Sequence, residues 1–168
     1  MYSHYENENL IIVSVHGVNS VEGLLIAVKT FLRASQEQII ADQFCNKYKE
    51  LMNIKDKKVF LLGHSLGAFM IASCSLKFGK SFPSVLFAPY VPSPRTPISR
   101  HLGSNPKFKK IFFKQDPFPA NLINMGKRVK NTLMFSNANP IFIARNKSNH
   151  AITLFITDIN KDFKRRLG

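Results

Sequence analysis

The sequence contains only two cysteines, Cys45 and Cys74, and no run of 18 apolar residues. Because the two thiols show neither metal-ligand nor redox spacing, we expect them to be buried free thiols in a reducing compartment. The missing apolar run argues against a transmembrane helix. The first ten residues, MYSHYENENL, lack the basic start and apolar stretch of a signal peptide. We therefore expect an intracellular, cytoplasmic protein, with membrane association left open.

Acidic residues are scarce after the first third of the chain. Residues 1–56 hold five Lys and Arg against seven Asp and Glu, whereas residues 57–168 hold 19 against three. The whole chain has a formal net charge of +14. Such a field attracts an anionic membrane surface or nucleic acid as a partner, although no motif of a nucleic-acid-binding module is present. A solvated basic surface without a dedicated partner is the alternative.

The chain is long enough to bury a core, since 45% of its 168 residues are hydrophobic. We expect one domain over residues 1–168. Strands are predicted at 10–15, 57–62, 83–89, 108–114, 132–136, 140–145 and 151–156, and helices at 20–33, 35–53 and 66–78, with Gly79 as a C-cap. A proline-rich loop is predicted at 90–100. Alternating strands and helices predict an α/β domain with a mostly parallel sheet.

The pentapeptide Gly-His-Ser-Leu-Gly, residues 63–67, lies between the apolar run VFLL and the helical run LGAFMIASCSLKF. A Gly-x-Ser-x-Gly motif between a buried strand and a helix is typical of a nucleophile elbow, a strained turn that exposes the serine. The glycines are needed because Cβ atoms at these positions would clash with the neighbouring strand and helix. The helix N-terminus favours negative charge where an oxyanion would form. The motif predicts Ser65 as a nucleophile.

The partners of Ser65 follow by elimination, because this type of site runs in the chain order Ser, then Asp or Glu, then His. The residues that could serve after Ser65 are two histidines and three acids: His101, His150, Asp116, Asp158 and Asp162. One combination fits the order, namely Ser65, Asp116 and His150. We expect His150 to take the serine proton and Asp116 to fix the histidine tautomer and stabilise the imidazolium.

Several segments resemble the class 3 lipase family of α/β-hydrolases: VFLLGHSLGAFMIA, SVLFAPYVPSPR, FFKQDPFPANL and LMFSNANPIFIARNKSNHAITLFI. The first resembles the family's elbow, the third the segment in which the catalytic Asp precedes a proline pair, and the fourth the closing hairpin with the catalytic His. The resemblance covers residues 10 to 157. It implies a minimal, N-terminally truncated α/β-hydrolase-like fold, with a mostly parallel central sheet flanked by helices. It implies neither a cofactor nor a metal.

The same resemblance aligns IIVSVHGVNSVEGLL with the family's strand and oxyanion loop. It implies that the backbone N–H groups of Val18 and Leu66 form the oxyanion hole, and that His16, Gly17 and His64 contact the substrate. His16 stands where the family commonly has Arg, and Val18 replaces a hydroxyl residue. Residues 20–33 follow where the family carries its lid, and they form either a lid or a packed helix of the core.

These observations favour a serine ester hydrolase of the lipase, phospholipase or esterase type, which acts on lipid or other acyl esters through an acyl-enzyme intermediate. Thioesterase or peptidase chemistry would use the same triad. A non-catalytic α/β-hydrolase scaffold with a basic interaction surface is the second hypothesis, and nucleic-acid binding by the basic part is the third. The sequence leaves acyl-chain length, head group and oligomeric state open.

Overall fold

In a computed structural model of the chain, residues 2–17, 37–91, 93, 95–113 and 132–135 are described. The strands are β1 (Tyr2–Glu6), β2 (Leu10–Val15), β3 (Lys58–His64), β4 (Ser84–Phe87), β5 (Phe108–Phe113) and β6 (Thr132–Phe135). The helices are α1 (Glu37–Asn53), α2 (Leu66–Phe78) and α3 (Pro97–Ser104). The six described strands form one sheet in chain order. That all of residues 1–168 form one domain stays a prediction.

Strands β2 to β6 run parallel to one another, and β1 pairs antiparallel with β2. Helix α1 packs against α2, and α2 packs against α3. Right-handed crossovers between strands added in one direction place successive helices on the same face of the sheet, which agrees with these contacts. The prediction of an α/β protein with a mostly parallel sheet flanked by helices is confirmed.

The core lies between this helical layer and the sheet. Alternate strand residues such as Val13, Leu61 and Leu86 are fully buried toward the helices. Phe60, which points to the other face of the sheet, is 40% exposed. The alternation follows from the two-residue period of a strand, so one set of side chains meets the helices and the other does not.

Helix α2 has the bounds that the sequence predicts, and its first ten residues are all buried. This part of the helix is buried on all sides because it lies between α1 and α3 on top of the sheet, and this position explains why most of its residues are apolar. Gly79 ends the helix with a left-handed backbone, φ 66°, which confirms the predicted C-cap. Cys45 on α1 and Cys74 on α2 are both buried and are not joined by a disulfide, as predicted.

Two elements differ from the prediction. The segment 90–100 was predicted as a loop, but α3 begins within it at Pro97. Thr96 caps this helix by accepting a hydrogen bond from the Ser99 backbone N–H, and Ile98 and Leu102 are buried. Strand β1 was not predicted, because all five of its residues are exposed and show no apolar pattern.

Other predicted elements agree within a few residues. Strands β4 and β5 are shorter than predicted, and the helix predicted at 35–53 is described from Glu37 to Asn53. The predicted helix at 20–33 and the segments at 140–145 and 151–156 lie outside the described residues. Within the described part of the chain, none of the helices has the length and apolar character needed to cross a membrane.

Candidate active site

The carboxyl ends of the parallel strands meet at one edge of the sheet, which we call the carboxyl edge. The dipeptide His16-Gly17 directly follows β2, Ser65 directly follows β3, and the segment 88–90 follows β4. The register aligns the strand ends, since His64 pairs with Phe87. Ligands of open α/β sheets bind in crevices at this edge. The structure therefore places the sequence-predicted elbow where such a site is expected.

Ser65 has a strained backbone, with φ 55° and ψ −118°. A non-glycine residue in this region costs about 1–3 kcal/mol and persists only when its surroundings hold it there. Its N–H donates to the carbonyl of Phe87 at 3.0 Å, and its carbonyl accepts from the N–H of Tyr90 at 3.1 Å. The chain on either side of the end of β4 thus fixes both backbone groups of Ser65.

The side chain of Ser65 makes no capping hydrogen bond to α2, although Ser65 occupies the N-cap position. Serine at an N-cap commonly accepts a hydrogen bond from the first turn of its helix. Here the strained backbone replaces that conformation, so the hydroxyl is not committed to the helix. Ser65 is only 6% exposed, which means that any reaction partner would have to approach closely.

Three glycines allow the backbones around Ser65 to approach one another. A Cβ on Gly67 would overlap the carbonyl of Val15, and a Cβ on Gly63 would lie 2.7 Å from the Ala68 Cα. A Cβ on Gly17 would lie 2.9 Å from the Cβ of Ser65. The two glycines of the pentapeptide are needed for the steric reason given by the sequence, and Gly17 brings the loop after β2 against Ser65.

The predicted oxyanion and substrate groups are placed as follows. Leu66 is the first residue of α2, where backbone N–H groups have no partner within the helix and the helix dipole favours negative charge. Gly17 packs against His64, whose Nδ1 would be 3.0 Å from a Cβ on Gly17. His16 Nε2 lies 2.9 Å from the hydroxyl of Ser3 on β1. The contacts of these residues with a substrate stay a prediction.

Val18, Asp116 and His150, the remaining predicted site residues, lie outside the described residues. The structure therefore does not describe the triad. Within the described part of the chain, no group of three or more His, Cys, Asp or Glu residues could hold a metal ion.

The sequence did not indicate the role of the chain after β4. Ala88 has a positive φ of 42°, and its N–H donates to the Ile111 carbonyl at 2.8 Å. This turn aims the Tyr90 N–H at the carbonyl of Ser65. The Tyr90 ring packs edge-on against Phe69 of α2, with 5.8 Å between the ring centroids. Such main-chain contacts leave no residue-type signal from which they could have been predicted.

A second serine–histidine pair lies near the other end of α2. Ser75 Oγ is 2.9 Å from His101 Nε2 and 2.5 Å from Ser81 Oγ. Asn105 Nδ2 lies 3.2 Å from the same histidine nitrogen and donates to Ser81. Ser75 is buried, and burial lowers the pKa of His101 below its usual value. These groups satisfy one another between α2 and α3, so this pair is a structural network.

No protein-family model matches the chain, and no curated protein matches it. Among solved structures, a protein of Pectobacterium atrosepticum named as a YdeN-like hydrolase is similar with a TM-score of 0.45 and 16% sequence identity. The similarity covers 76% of each chain. The family of this chain is not established by these similarities, and the resemblance to class 3 lipases stays a prediction.

Proposed function

We propose that the chain is a serine hydrolase of acyl esters, with Ser65 as the nucleophile, His150 as the general base and Asp116 as the residue that orients His150. The observation that carries the proposal is the backbone of Ser65, which is strained at the junction of β3 and α2 while its hydroxyl is left uncapped. Strain of this kind persists where the surroundings impose it and is concentrated at functional sites.

The position of β5 supports Asp116 as the third member of the catalytic triad. Strand β5 is parallel to β4, so Phe113 ends it at the carboxyl edge. Asp116 is three positions after Phe113 in the sequence, a distance of at most about 10 Å when the chain is extended. Asp116 is also the first acid after Asp56 in the sequence, so the chain from β3 to β5 carries no other carboxylate.

The contacts of His101 support His150 as the base. The Nε2 atom of His101 is already engaged by Ser75 and Asn105, in the network between α2 and α3. A histidine held in this way is not available to take a proton from Ser65. His150 is the other histidine that follows Ser65 in the sequence.

In the proposed reaction, Ser65 Oγ bonds to the carbonyl carbon of the ester while its proton moves to His150. The carbonyl oxygen becomes an oxyanion that accepts hydrogen bonds from the N–H groups of Leu66 and Val18. Collapse of this intermediate breaks the ester bond, and His150 gives its proton to the departing alcohol. Water, deprotonated by His150, then attacks the acyl-serine, and the acid is released as Ser65 regains its proton.

The substrate class proposed from the resemblance is a lipid or another acyl ester. Hydrolysis of p-nitrophenyl acetate and p-nitrophenyl octanoate tests the reaction without a lipid surface. We expect Ser65→Ala, Asp116→Asn and His150→Asn each to lower kcat/KM by at least about 10³-fold, as losses of triad members do. The matched variants Ser75→Ala and His101→Asn should retain activity within about tenfold.

The alternative, a non-catalytic scaffold, predicts the opposite outcome. It requires that neither ester is hydrolysed above the rate of Ser65→Ala, although the protein is folded. An equal loss in Ser75→Ala and Ser65→Ala would also contradict the proposal, since it would indicate a general effect on the fold. Circular dichroism spectra of all variants distinguish loss of folding from loss of chemistry.

A further inference from the structure

Four lysines surround an aromatic cluster at the end of the sheet opposite the carboxyl edge. We call this surface the basic end and define it as Lys49, Lys77, Lys80 and Lys107. The Nζ atoms of Lys49 and Lys77 lie 5.7 and 5.9 Å from the centroid of the Phe78 ring. The Nζ atom of Lys80 lies 5.3 Å from the centroid of the Phe82 ring.

The lysines of the basic end are held in place by contacts with the protein. Lys80 Nζ donates to the carbonyl of Met52 at 2.7 Å, and Lys107 Nζ donates to the carbonyl of Ser81 at 2.9 Å. These contacts hold the ammonium groups at one end of the sheet, on α1, α2 and the loops that precede β4 and β5. Positioned charges attract an anion with a smaller loss of side-chain entropy than freely rotating ones.

Few acidic side chains lie near this surface among the residues that the structure describes. The chain from residue 57 to residue 115 contains no Asp or Glu. Glu50, which neighbours Lys49 on α1, forms an ion pair with Lys47 at 3.1 Å, and Asp56 in the loop before β3 has lysines on both sides in the sequence. Lysines therefore outnumber acids at this end of the described part of the chain, which favours a polyanionic partner.

An exposed apolar side chain beside the lysines favours a membrane over nucleic acid as the partner. Leu76 is 40% exposed next to Lys77 on α2, and a lipid surface accepts such a side chain between basic ones. Binding to single-stranded nucleic acid uses aromatic rings that offer a face to the bases. Phe78 instead stacks on Tyr48, with 5.9 Å between the centroids and an interplanar angle of 22°.

We propose that the basic end binds the surface of an anionic phospholipid membrane, with Ser65 facing away from the bilayer. Helix α2 has 13 residues and runs from Ser65 at the carboxyl edge to Lys77 at the basic end, a length of about 20 Å. An ester would then reach Ser65 from the aqueous side. The last statement rests on the proposed function, whereas the binding itself does not.

Sedimentation with vesicles tests the binding, using phosphatidylcholine alone and phosphatidylcholine with one quarter phosphatidylserine. We expect binding to the anionic vesicles only. The double variant Lys49→Gln/Lys77→Gln should bind about 30-fold more weakly, because each basic residue near such a surface is worth about 1 kcal/mol. The control Arg95→Gln/Arg100→Gln removes the same charge from exposed positions just before α3 and in its first half, and it should change binding by less than about threefold.

Ser65→Ala should bind vesicles as the unchanged protein does, which separates this proposal from the proposed chemistry. An equal loss in both double variants would overturn the proposal, since it would indicate attraction by net charge alone. Binding of a 20-nucleotide RNA without binding of anionic vesicles would overturn it in favour of nucleic acid.

A pair of tryptophan variants tests the orientation, because the chain contains no tryptophan. Leu76 lies beside the basic end and is 40% exposed, and Arg95 is exposed in the segment between β4 and α3, at the carboxyl edge. We expect the emission of Leu76→Trp to shift to shorter wavelength on anionic vesicles and that of Arg95→Trp to stay unchanged. A shift confined to Arg95→Trp, or equal shifts in both, would contradict the proposed orientation.

Discussion

A serine lies near each end of α2, and the two serines differ in backbone conformation and in the hydrogen bonds of their hydroxyl groups. Ser65 has a strained backbone and a side chain without a capping hydrogen bond. Ser75 lies within the helix, and its hydroxyl is hydrogen-bonded to His101 and Ser81. The short distance of 2.9 Å between Ser75 and His101 therefore belongs to a structural network. The candidate nucleophile, Ser65, is distinguished by its strained backbone.

The same contrast holds for the surroundings of each end. At the carboxyl edge, glycines allow backbone to pack on backbone, and the strain of Ser65 is held by the chain around the end of β4. At the opposite end, buried polar groups bind one another. Lys110, for example, is fully buried and donates to the carbonyls of Leu102 and Gly103 at the end of α3. The carboxyl edge thus holds one residue in a strained backbone conformation, whereas at the opposite end buried polar groups are hydrogen-bonded to one another.

The largest difference should come from placing alanine at Gly67, in the first turn of α2, or at Gly79, its C-cap. In Gly67→Ala, the new Cβ overlaps the Val15 carbonyl, and neither backbone can move without separating α2 from β2. We expect this variant to lose about 4 kcal/mol of unfolding free energy. Gly79→Ala places a Cβ in open space, and its φ of 66° alone should cost about 1 kcal/mol.

Urea denaturation of both variants measures this difference. Equal losses in Gly67→Ala and Gly79→Ala would contradict the close contact between α2 and β2. That contact brings the loop after β2 against Ser65, so such a result would also count against the proposal that this loop contributes to the oxyanion site.

A smaller effect should appear in the pH dependence of stability through Lys110. Burial lowers the pKa of Lys110 from 10.5 to about 8. Between these two values the unfolded chain binds more protons than the folded one, so stability rises with pH. We expect the unfolding free energy to increase by about 2 kcal/mol from pH 7 to pH 10 relative to Lys110→Met. Urea denaturation at these two pH values gives the comparison.

Lys109→Met is the matched control, because Lys109 is the exposed neighbour of Lys110 on β5. It should keep the pH dependence of the unchanged protein. If Lys110→Met kept the same slope as Lys109→Met, Lys110 would not be the buried group responsible.

The smallest effect should be that of His101, which has the same direction with pH as that of Lys110 but appears in the acidic range. Burial lowers the pKa of His101 below 6.5, so the unfolded chain binds more protons as the solution is acidified. Among the described residues, the ring contacts Ser75, Asn105 and the Phe108 ring, none of which is acidic. We expect the melting temperature to fall between pH 7 and pH 5, and to fall less in His101→Gln.

A pH dependence that His101→Gln leaves unaltered would show that the network between α2 and α3 does not contain the responsible group.

The parts of the fold that could be predicted from the sequence are those with a strong local pattern. Helix α2 and its Gly79 cap follow from an unbroken apolar run that ends at a glycine. Strand β1 has no such pattern and depends on pairing with β2. Helix α3 could have been found, because Thr96 and Pro97 are an N-cap and a first-turn proline.

The candidate site divides in a similar way. The pentapeptide identifies Ser65 as the candidate nucleophile because the signal is local. It consists of two glycines next to the serine's neighbours and of a strand and a helix on either side. The hydrogen bond that Ser65 donates to Phe87 and the one that it accepts from Tyr90 depend on main-chain groups more than 20 residues away. Any residue type presents those groups, so no sequence pattern reveals them.

The contrast between the two ends of α2 is tested most directly by labelling with a fluorophosphonate, followed by peptide mapping. Ser65 directly precedes α2 and Ser75 lies within it, and modification is read by mass at each serine. We expect the adduct on Ser65 and none on Ser75, with labelling abolished in Ser65→Ala and retained in Ser75→Ala. Absence of any adduct on the folded protein, or an adduct on Ser75, would contradict the assignment of Ser65 as the nucleophile.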